Sequence, residues 1–439
     1  MNTDIIVIGG GPGGYPTASR LAQEGRSVVL IERKHLGGTC LNCGCIPTKS
    51  LAASAAEALM LSRRSLPIPT IQEASERTRE VVEGLRGDVA AMLSAVPNLT
   101  VLTGDARFVD AHTVAVGEQE ITADTIIIAT GSADKRLPFE ALSPTEFLQT
   151  PHAEPIAEML IIGAGVIGME FASVFSALGT KVTVVEFLKE CLPACDSDIA
   201  KRLRKSLEKR GVEFSMQTAV KNVTANGDVI CECKGKERVF HSSCVIVAVG
   251  RCPNISSLDL DKAGVEYNPK GIVVDDYCRT SQNHIFAIGD VNGRVMLAHA
   301  ATMQGHAVAE AIISGEHKPI ADLMPTHVPY AVFTIPEAAG VGATEDMLKA
   351  EGADYRAVKI PFRSNGRVMA MGEPEGMLKV LAVGNNIVGC HAYGVHSADI
   401  IQAAAIFMQN NATIADIMAT TFIHPTVTEL IHDAAQRLK

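Results

Sequence analysis

The hydrophobic positions of the chain repeat one pattern twice. In the first copy, a continuous apolar run over residues 4–8 meets a glycine-rich turn at 9–14, and a helical stretch then leads to a second apolar run that ends at Glu32. The second copy has the same order around a glycine turn at 163–168 and ends at Glu186. Continuous apolar strands are typical of a parallel sheet covered on both faces. The pattern therefore predicts two βαβ units, each belonging to a doubly wound domain.

Further elements surround these two units. Helices are predicted at 50–60 and 71–96, and buried strands at 125–131, 244–250 and 284–290. From about Leu323 the apolar residues begin to alternate with polar ones, as in 376–381, and helical stretches follow at 398–410 and 426–438. This change of pattern indicates an α+β domain at the C-terminal end.

The predicted fold class is therefore α/β, with two doubly wound dinucleotide-binding domains and a C-terminal α+β domain. The first domain is expected to be discontinuous, because strand 284–290 follows the second βαβ unit. The expected domains comprise residues 1–142 with 269–322, residues 143–268, and residues 323–439.

Composition narrows the class of protein. With 439 residues, 47% hydrophobic and 20% charged, the chain is long and apolar enough to fold, which excludes a disordered protein. A net charge of −10 argues against nucleic acid or an anionic membrane as a partner. No apolar run is long enough for a membrane span, and no basic segment precedes residues 4–8 as in a signal peptide. The 11 cysteines are scattered, which is typical of reduced thiols in a cytoplasmic enzyme.

The two glycine turns carry the GxGxxG spacing of dinucleotide-binding sites. In such a turn the first glycine allows the tight bend, the second lets the backbone approach a pyrophosphate, and the third allows close packing of helix and strand. Glu32 and Glu186 follow at the distance of an acid that accepts hydrogen bonds from a ribose, and a carboxylate there repels the 2′-phosphate of NADP. The alternative is that both are tight turns without a nucleotide. The candidate glycines are Gly9, Gly11 and Gly14, and Gly163, Gly165 and Gly168.

Three cysteines lie within six residues, at Cys40, Cys43 and Cys45. No nearby cysteine or histidine supplies a fourth ligand at zinc spacing, so no metal site is predicted. Pro47 is expected to begin a helix just after Cys45, and a helix N-terminus stabilises a thiolate, with Lys49 adding positive charge. These features favour a redox disulfide over buried structural thiols, although the residues alone leave both alternatives open.

The sequence Gly38-Thr39-Cys40-x4-Cys45-x-Pro47-x-Lys49, placed after a dinucleotide fingerprint, resembles the flavoprotein disulfide reductases. The resemblance is greatest to the dihydrolipoamide dehydrogenase branch and covers essentially the whole chain. It also rests on motifs that occur in the family's order, at residues 125–131, 285–290, 296–299, 333–337 and 424–429.

The resemblance implies FAD at the first glycine turn and NAD at the second. Glu32 would bind the adenosine ribose of FAD and Asp290 the ribityl chain, while Lys49, paired with Glu170, would lie near the flavin N5. In the second site Glu186 would bind the ribose of NAD. The other implied contacts are Thr39, Ala106, Thr130, Gly131 and Ala298 for FAD, and Val220 and Gly250 for NAD.

The resemblance also implies the catalytic roles. Cys40 and Cys45 would form the redox disulfide, with Cys40 exchanging with substrate and Cys45 forming the charge-transfer thiolate with the flavin. His424 would reach across a homodimer interface as acid and base, oriented by Glu429. Simpler readings exist: Glu429 could only complete a helix capping box, and His424 could be structural.

Asp290 could likewise be a turn residue, and Lys49 with Glu170 a surface ion pair. Cys43 stands where the family usually has an aliphatic residue and is interpreted as a packing residue, with an alternative disulfide to one of its neighbours left open.

The function that this resemblance implies is FAD-dependent oxidation of protein-bound dihydrolipoamide with reduction of NAD. The partners would be lipoyl-bearing proteins of a 2-oxo acid dehydrogenase or glycine cleavage complex. Three departures from the branch put lipoamide in question, namely Phe422-Ile423 before His424, Gln304 and Asp399. The alternatives are reduction of another small disulfide or of a metal ion, and a non-catalytic FAD/NAD redox protein.

Overall fold

The computed structural model describes residues 1–150, 152, 154–320 and 328–439. The expected boundary between residues 322 and 323 lies outside the described residues. The elements of the N-terminal part are β1 (Asn2–Ile8), α1 (Gly14–Gln23), β2 (Val28–Glu32), α2 (Gly38–Cys43), α3 (Cys45–Ser62), α4 (Ile71–Ser94), β3 (Leu99–Thr103), β4 (Ala106–Phe108), β5 (Thr113–Val116), β6 (Gln119–Ile128) and β7 (Ser132–Asp134).

The central part contains α5 (Pro144–Gln149), β8 (Glu158–Ile162), α6 (Val166–Ala177), β9 (Lys181–Val185), α7 (Ser197–Lys209), β10 (Glu213–Ser215), β11 (Thr218–Val223), β12 (Asp228–Cys233), β13 (Lys236–His241), β14 (Val245–Val247) and β15 (Arg251–Pro253). It is followed by β16 (Tyr267–Asn268), β17 (Gly271–Ile272), β18 (Ile285–Ala287) and α8 (Ala298–Ser314).

The C-terminal part contains β19 (Tyr330–Val332), β20 (Ala338–Gly342), α9 (Glu345–Glu351), β21 (Arg356–Pro361), α10 (Gly366–Met371), β22 (Gly376–Val383), β23 (Asn386–Gly394), α11 (Ser397–Gln409), α12 (Ile414–Ala419) and α13 (Leu430–Leu438).

The first sheet has the order β3-β2-β1-β6-β5-β4, with β18 paired to β6. Strands β1, β2, β3, β6 and β18 run parallel. The apolar residues of β1 are buried because α1, α4 and α8 pack against one face of the sheet and residues 258–274 against the other. Strand β18 joins this sheet although it comes more than 150 residues after β6 in the chain. The predicted α/β architecture is therefore confirmed, and the first sheet contains strands from two separate segments of the chain.

The segment that returns to the first sheet packs into its core before the strand itself is reached. Leu258, Leu260 and Ile272 share one buried cluster with Ile6 and Ile126 of the first sheet. The return begins earlier in the chain than residue 269, the expected domain boundary. The exact division of domains stays a prediction.

The second sheet repeats the first on a smaller scale. Its parallel strands have the order β10-β9-β8-β14, and a separate antiparallel sheet of β11, β12 and β13 lies beside them. In both units the strand before the glycine turn pairs in parallel with the strand that precedes the acidic residue. This arrangement places both glycine turns at the carboxyl ends of parallel strands, where doubly wound sheets bind ligands.

The C-terminal sheet has the order β19-β20-β23-β22-β21 and is antiparallel. Strand β22 was expected to alternate between buried and exposed residues, and this expectation is wrong, since Met377 to Ala382 are all buried. Leu378 and Val380 pack against α11 and α13, whereas Met377 packs into a cluster formed mainly by the central part of the chain. The sheet is buried on both faces because the central part covers the second one.

Across the part of the chain that the structure describes, no helix combines the length and the apolar character needed to cross a membrane.

Candidate active site

Two short helices hold the cysteine cluster. Cys40 lies in α2, Gly44 separates the helices, and Cys45 is the first residue of α3, two positions earlier than the start expected at Pro47. A side chain at Gly44 would place its Cβ 2.9 Å from the carbonyl oxygen of Thr39, so the tight junction requires glycine. The junction brings the sulfur atoms of Cys40 and Cys45 within hydrogen-bonding reach of each other.

The two sulfur atoms have opposite acidities. A hydrogen bond from Cys40 lowers the pKa of Cys45 to about 7, and the nearby Lys49 ammonium lowers it further against the effect of burial. The same hydrogen bond and burial raise the pKa of Cys40. Cys45, at the N-terminus of α3, is therefore the thiolate of the pair, and Cys40 remains the protonated donor.

Lys49 lies one turn further along α3 and forms an ion pair with Glu170 of α6. Its Nζ is 2.9 Å from both carboxylate oxygens, and the Glu170 side chain is only 3% exposed. Glu170 also accepts a hydrogen bond of 2.8 Å from the backbone N–H of Phe333, whose ring lies 4.7 Å from the ammonium. A buried carboxylate needs such partners, and here they come from the N-terminal and C-terminal parts of the chain.

Both glycine turns need their first and third glycines for reasons internal to the fold. Gly9 and Gly163 have φ values of +109° and +106°, which favour glycine. A Cβ on Gly14 or Gly168 would lie 1.8 or 2.0 Å from the carbonyl oxygen of the first glycine in its own turn. These four glycines are therefore explained by backbone geometry alone.

The middle glycine of each turn has no such internal reason. A Cβ on Gly11 would meet only the Cα of Gly38, at 3.8 Å, and a Cβ on Gly165 would meet no atom within 4 Å. Neither has a positive φ. Within the described residues, the open space at both positions leaves the backbone accessible to a group outside the chain, as the pyrophosphate of a dinucleotide requires. The cradle fits a dinucleotide in both places.

The acidic residue of each unit is held in the same way. Glu32 accepts hydrogen bonds of 2.8 Å from the N–H of Gly10 and 2.8 Å from the N–H two positions after itself. Glu186 accepts the equivalent bonds of 2.6 Å from Ala164 and 2.7 Å from the second following residue. Each carboxylate retains free lone pairs, so it can also accept from ribose hydroxyls.

Asp290 accepts a hydrogen bond from a hydroxyl group and lies near a guanidinium group, neither of which the sequence indicated. The Ser132 hydroxyl donates to its carboxylate at 2.5 Å, and Arg251 donates to the same hydroxyl at 2.7 Å. Burial raises the pKa of Asp290, whereas the Ser132 hydrogen bond and the Arg251 charge act in the opposite direction. Arg251 is also anchored on Asp134 at 2.6 Å. Strands β7 and β15 pair antiparallel, which brings these distant residues together.

The remaining expected FAD contacts lie around the first sheet. Thr130 and Gly131 follow β6 and are hydrogen-bonded to Asn254, by the Thr130 hydroxyl at 2.8 Å and the Gly131 carbonyl at 3.0 Å. Ala106 begins β4 and is buried. Ala298 begins α8, whose first turn has no side-chain cap, so its N–H groups are free to bind an acceptor. Thr39 lies in α2 beside Cys40.

The two expected NAD contacts lie in the central part. Val220 is in β11, where the register with β12 is irregular. Gly250 precedes β15 with a φ of +109° and has no atom within 4 Å of an added Cβ, so the backbone is open there.

His424 and Glu429 form a pair at the surface of the C-terminal part. The Nδ1 atom of His424 is 3.0 Å from Glu429, which also accepts from the N–H of Thr426 at 2.8 Å in a capping box. The pKa of Glu429 is lowered first by Thr426 and then by His424. The Glu429 carboxylate therefore both completes the capping box and orients the imidazole ring of His424.

The His424 side chain is 81% exposed. Within the described residues, no hydrogen bond or ion pair joins it to either thiol. A single chain thus presents the histidine on its surface, whereas both thiols are half-buried.

Cys43 is buried on α2, and burial raises the pKa of its thiol. It therefore has the character of a packing residue. In the described ranges, no group of three or more histidine, cysteine, aspartate or glutamate side chains is arranged to hold a metal ion.

Two family descriptions match the chain. Residues 3–305 match the pyridine nucleotide-disulphide oxidoreductases, and residues 328–435 match the dimerisation domain of the same family. The chain is 36% identical to the dihydrolipoyl dehydrogenase of Zymomonas mobilis, over 98% of this chain and 97% of that protein. It is also 36% identical to the dihydrolipoyl dehydrogenase of Pseudomonas aeruginosa, over 100% and 97%.

A solved structure is similar over its whole length. The HOCl-induced flavoprotein disulfide reductase RclA from Escherichia coli, as a Cu(II) complex, superposes with a TM-score of 0.90 at 29% identity, covering 100% of each chain.

The chain belongs to the pyridine nucleotide-disulphide oxidoreductases. It is therefore an oxidoreductase with FAD and NAD as cofactors. The two glycine cradles fit these two dinucleotides, and the dimerisation domain supports a homodimer. Sequence reasoning missed Ser132 and Arg251 at this oxidoreductase site. The paired strands that bring them together left no local signal in the sequence.

Proposed function

We propose that this oxidoreductase oxidises dihydrolipoamide to lipoamide and reduces NAD to NADH. The observation that carries the proposal is the meeting of Cys40 and Cys45 at the junction of α2 and α3, where the pKa of Cys45 is lowered and that of Cys40 is raised. The relatives named dihydrolipoyl dehydrogenase, at 36% identity over nearly the whole chain, support the choice of substrate.

In this proposal the first glycine turn, with Glu32 and Asp290, holds FAD, and the second turn, with Glu186, holds NAD. When bound, FAD carries electrons between the thiols and the nicotinamide. The Lys49–Glu170 pair keeps a positive charge beside Cys45 and joins α3 to α6. The chain thereby fixes the distance between the dithiol and the central part.

Thiol exchange then proceeds at the Cys40–Cys45 disulfide of the oxidised protein. A substrate thiolate attacks the Cys40 sulfur, the bond between the two cysteines breaks, and Cys45 leaves as a thiolate. The second substrate thiol attacks the substrate sulfur of the mixed disulfide, which closes the substrate disulfide and releases Cys40. Two electrons and two protons leave the substrate, and Cys45 is the better leaving group because its pKa is lower.

His424 is proposed to accept the proton of the attacking substrate thiol and to return it to Cys40. An imidazole nitrogen can accept a proton and give it back, which suits this task. Glu429 holds Nδ1, so the other ring nitrogen, Nε2, faces the reaction. Because His424 is exposed on its own chain, we propose that it serves the dithiol of the partner subunit in the homodimer.

A second candidate is an acceptor other than lipoamide. The similarity to the Escherichia coli disulfide reductase, whose structure is a Cu(II) complex, favours it. The same dithiol could then reduce another small disulfide or a metal ion, with NADH as the donor.

The experiment is to mix the purified protein with dihydrolipoamide and NAD and to follow NADH formation. Fast turnover that is lost in Cys40→Ser and retained in the control Cys233→Ser, a residue of β12 outside the site, would support the proposal. The proposal would be contradicted if the protein showed no turnover although NADH still reduced its bound flavin. Consumption of NADH with Cu(II) or glutathione disulfide under those conditions would favour the second candidate.

If lipoamide is the substrate, lipoyl-bearing proteins of a 2-oxo acid dehydrogenase or glycine cleavage complex are the proposed partners. A free lipoyl domain should then be oxidised more efficiently than free dihydrolipoamide.

A further inference from the structure

A strained turn lies directly behind the second glycine turn. Leu192 has a φ of +49° and is 2% exposed, and it precedes Pro193. A left-handed backbone is unfavourable for leucine and persists only when surrounding contacts enforce it. The N–H of Leu192 donates to the carbonyl of Ala164 at 2.9 Å, and Ala164 lies between the first two glycines of that turn.

The other end of the strained turn leads directly into a buried carboxylate, that of Asp196. The N–H of Cys195 donates to the carbonyl of Leu192 at 2.9 Å, and the next residue, Asp196, is 0% exposed. Both oxygens of Asp196 accept from Nζ of Lys379, at 2.9 Å each. Asp196 also accepts from the N–H of Glu345 at 3.1 Å. Lys379 and Glu345 both belong to the C-terminal part, so this part holds the turn.

Lys379 is buried as deeply as its partner, with 1% of its side chain exposed. It also contacts Asp198 at 3.1 Å and Glu345 at 2.5 Å. A lysine in the core needs this compensation, and removing one member of a buried ion pair leaves an uncompensated charge. The Lys379 ammonium therefore joins β22 of the C-terminal part to residues 196–198 of the central part.

These contacts form a continuous path. It runs from Lys379 in β22 to Asp196, through the turn to Leu192, and from there to Ala164, whose own N–H donates to Glu186 at 2.6 Å. Asp196 is joined to the turn by its peptide bond to Cys195, and the other steps between residues are hydrogen bonds. Glu186 and the glycine turn are the groups proposed to hold NAD, so the path ends at that site.

We propose that Lys379 is a positioning residue for NAD, which it holds in place through Asp196 and the strained turn at Leu192. The C-terminal part thereby has a second role besides dimerisation, because its docking sets the geometry of the glycine turn 163–168. NAD affinity consequently depends on a residue that contacts neither NAD nor the flavin.

The test compares Lys379→Met with Lys349→Met, which removes a 58% exposed lysine from the same group of charges. NAD binding to the oxidised holoenzyme is measured by titration calorimetry. We expect the Kd of NAD to rise about fivefold or more in Lys379→Met, as is typical of coupled sites, and to stay unchanged in Lys349→Met. The KM of NAD should rise with it, whereas the KM of the dithiol substrate and the FAD content should not change.

The double variant Asp196→Asn/Lys379→Met keeps the proposal testable if the single variant does not fold. It removes both charges, so no unpaired charge is buried, and asparagine still caps α7. It should fold and show the same loss of NAD affinity. Wild-type affinity in a folded variant would overturn the proposal, as would parallel losses of NAD and FAD, which would indicate a purely structural role.

Binding of NAD needs no thiol substrate. The outcome of this experiment is therefore independent of whether lipoamide is the substrate.

Discussion

The sulfur atoms of Cys40 and Cys45 differ in acidity because their surroundings differ. Both are partly buried, and burial opposes ionisation of each. Cys45 receives the hydrogen bond and lies at the start of α3, near the Lys49 ammonium, so the negative charge settles there. One member of the pair is thus prepared to leave as a thiolate and the other to exchange with substrate.

This asymmetry predicts the pH dependence of alkylation. Because the pKa of Cys45 is lowered from 9.0 to about 7, the thiolate forms above about pH 7 and is protonated below it. Iodoacetamide should therefore modify Cys45 of the reduced protein with an apparent pKa near that value, as followed by mass spectrometry. Lys49→Met should move the profile to higher pH because the ammonium lowers the pKa. The buried Cys390, whose pKa burial raises to about 12, is the unreactive control. An unshifted profile in Lys49→Met would contradict this electrostatic account.

A second prediction at this scale concerns Glu186. Its carboxylate accepts from two backbone N–H groups and is proposed to bind a ribose hydroxyl and to repel a 2′-phosphate. Glu186→Ala should weaken the binding of NADH by about 1.5–3 kcal/mol, the range for hydrogen bonds to charged groups. It should also reduce the discrimination against NADPH. Steady-state kinetics with both nucleotides measure it. Glu158→Ala, an exposed acid at the opposite end of the sheet, is the control. Equal use of NADPH by the wild-type protein would refute the assignment.

At the scale of elements, the two βαβ units use their three glycines in the same way. In each, the first glycine makes the bend, the third admits the helix, and the middle one leaves an open approach to the backbone. The agreement between Gly11 and Gly165 matters most, because no contact among the described residues requires glycine at either place. The backbone of a strand, a turn and a helix thus provides an open approach for a ligand without any contribution from side chains.

The glycines therefore predict two kinds of variant. Gly14→Ala should destabilise the protein by about 1–3 kcal/mol, because its Cβ would lie 1.8 Å from a carbonyl oxygen. Gly11→Ala should leave the melting temperature of the apoprotein unchanged and weaken FAD retention. Gly165→Ala should weaken the binding of NAD and leave the FAD content unchanged. Melting curves and flavin absorbance measure these effects. Normal FAD retention in Gly11→Ala would show that no pyrophosphate lies against that backbone.

At the scale of the whole molecule, the C-terminal part is joined to the other two by buried charges. Glu170 meets Lys49 and the N–H of Phe333, and Lys379 meets Asp196. These contacts fix the two dinucleotide sites and the dithiol relative to one another. The same part of the chain presents His424 outward, at 81% exposure.

The exposed histidine predicts complementation between subunits. Cys40→Ser and His424→Ala should each lose most dithiol turnover. When the two variants are unfolded together and refolded, the mixed dimers contain one site with both intact residues if His424 acts in trans. Turnover should therefore return in the mixture. A mixture no more active than its parents would show that His424 does not serve the partner's dithiol.

Some features follow from the sequence alone because they depend on short spacings. The glycine turns, the acids that follow them and the cysteine cluster each lie within about one βαβ unit, where periodicity and residue type determine geometry. These patterns predicted the α/β fold and the dinucleotide cradles. The start of α3 was misplaced by two residues because Pro47 is also compatible with a later position in the first turn.

Other features were decided only by the tertiary structure. Ser132 and Asp290 are 158 positions apart, and Asp196 and Lys379 are 183 apart, so no local pattern connects either pair. Strand β22 has the composition of a sheet strand, yet only packing of the central part on its second face explains why a lysine is buried there. Short-range sequence patterns determine turns and helix ends. Which distant charges meet is determined by how the completed domains pack.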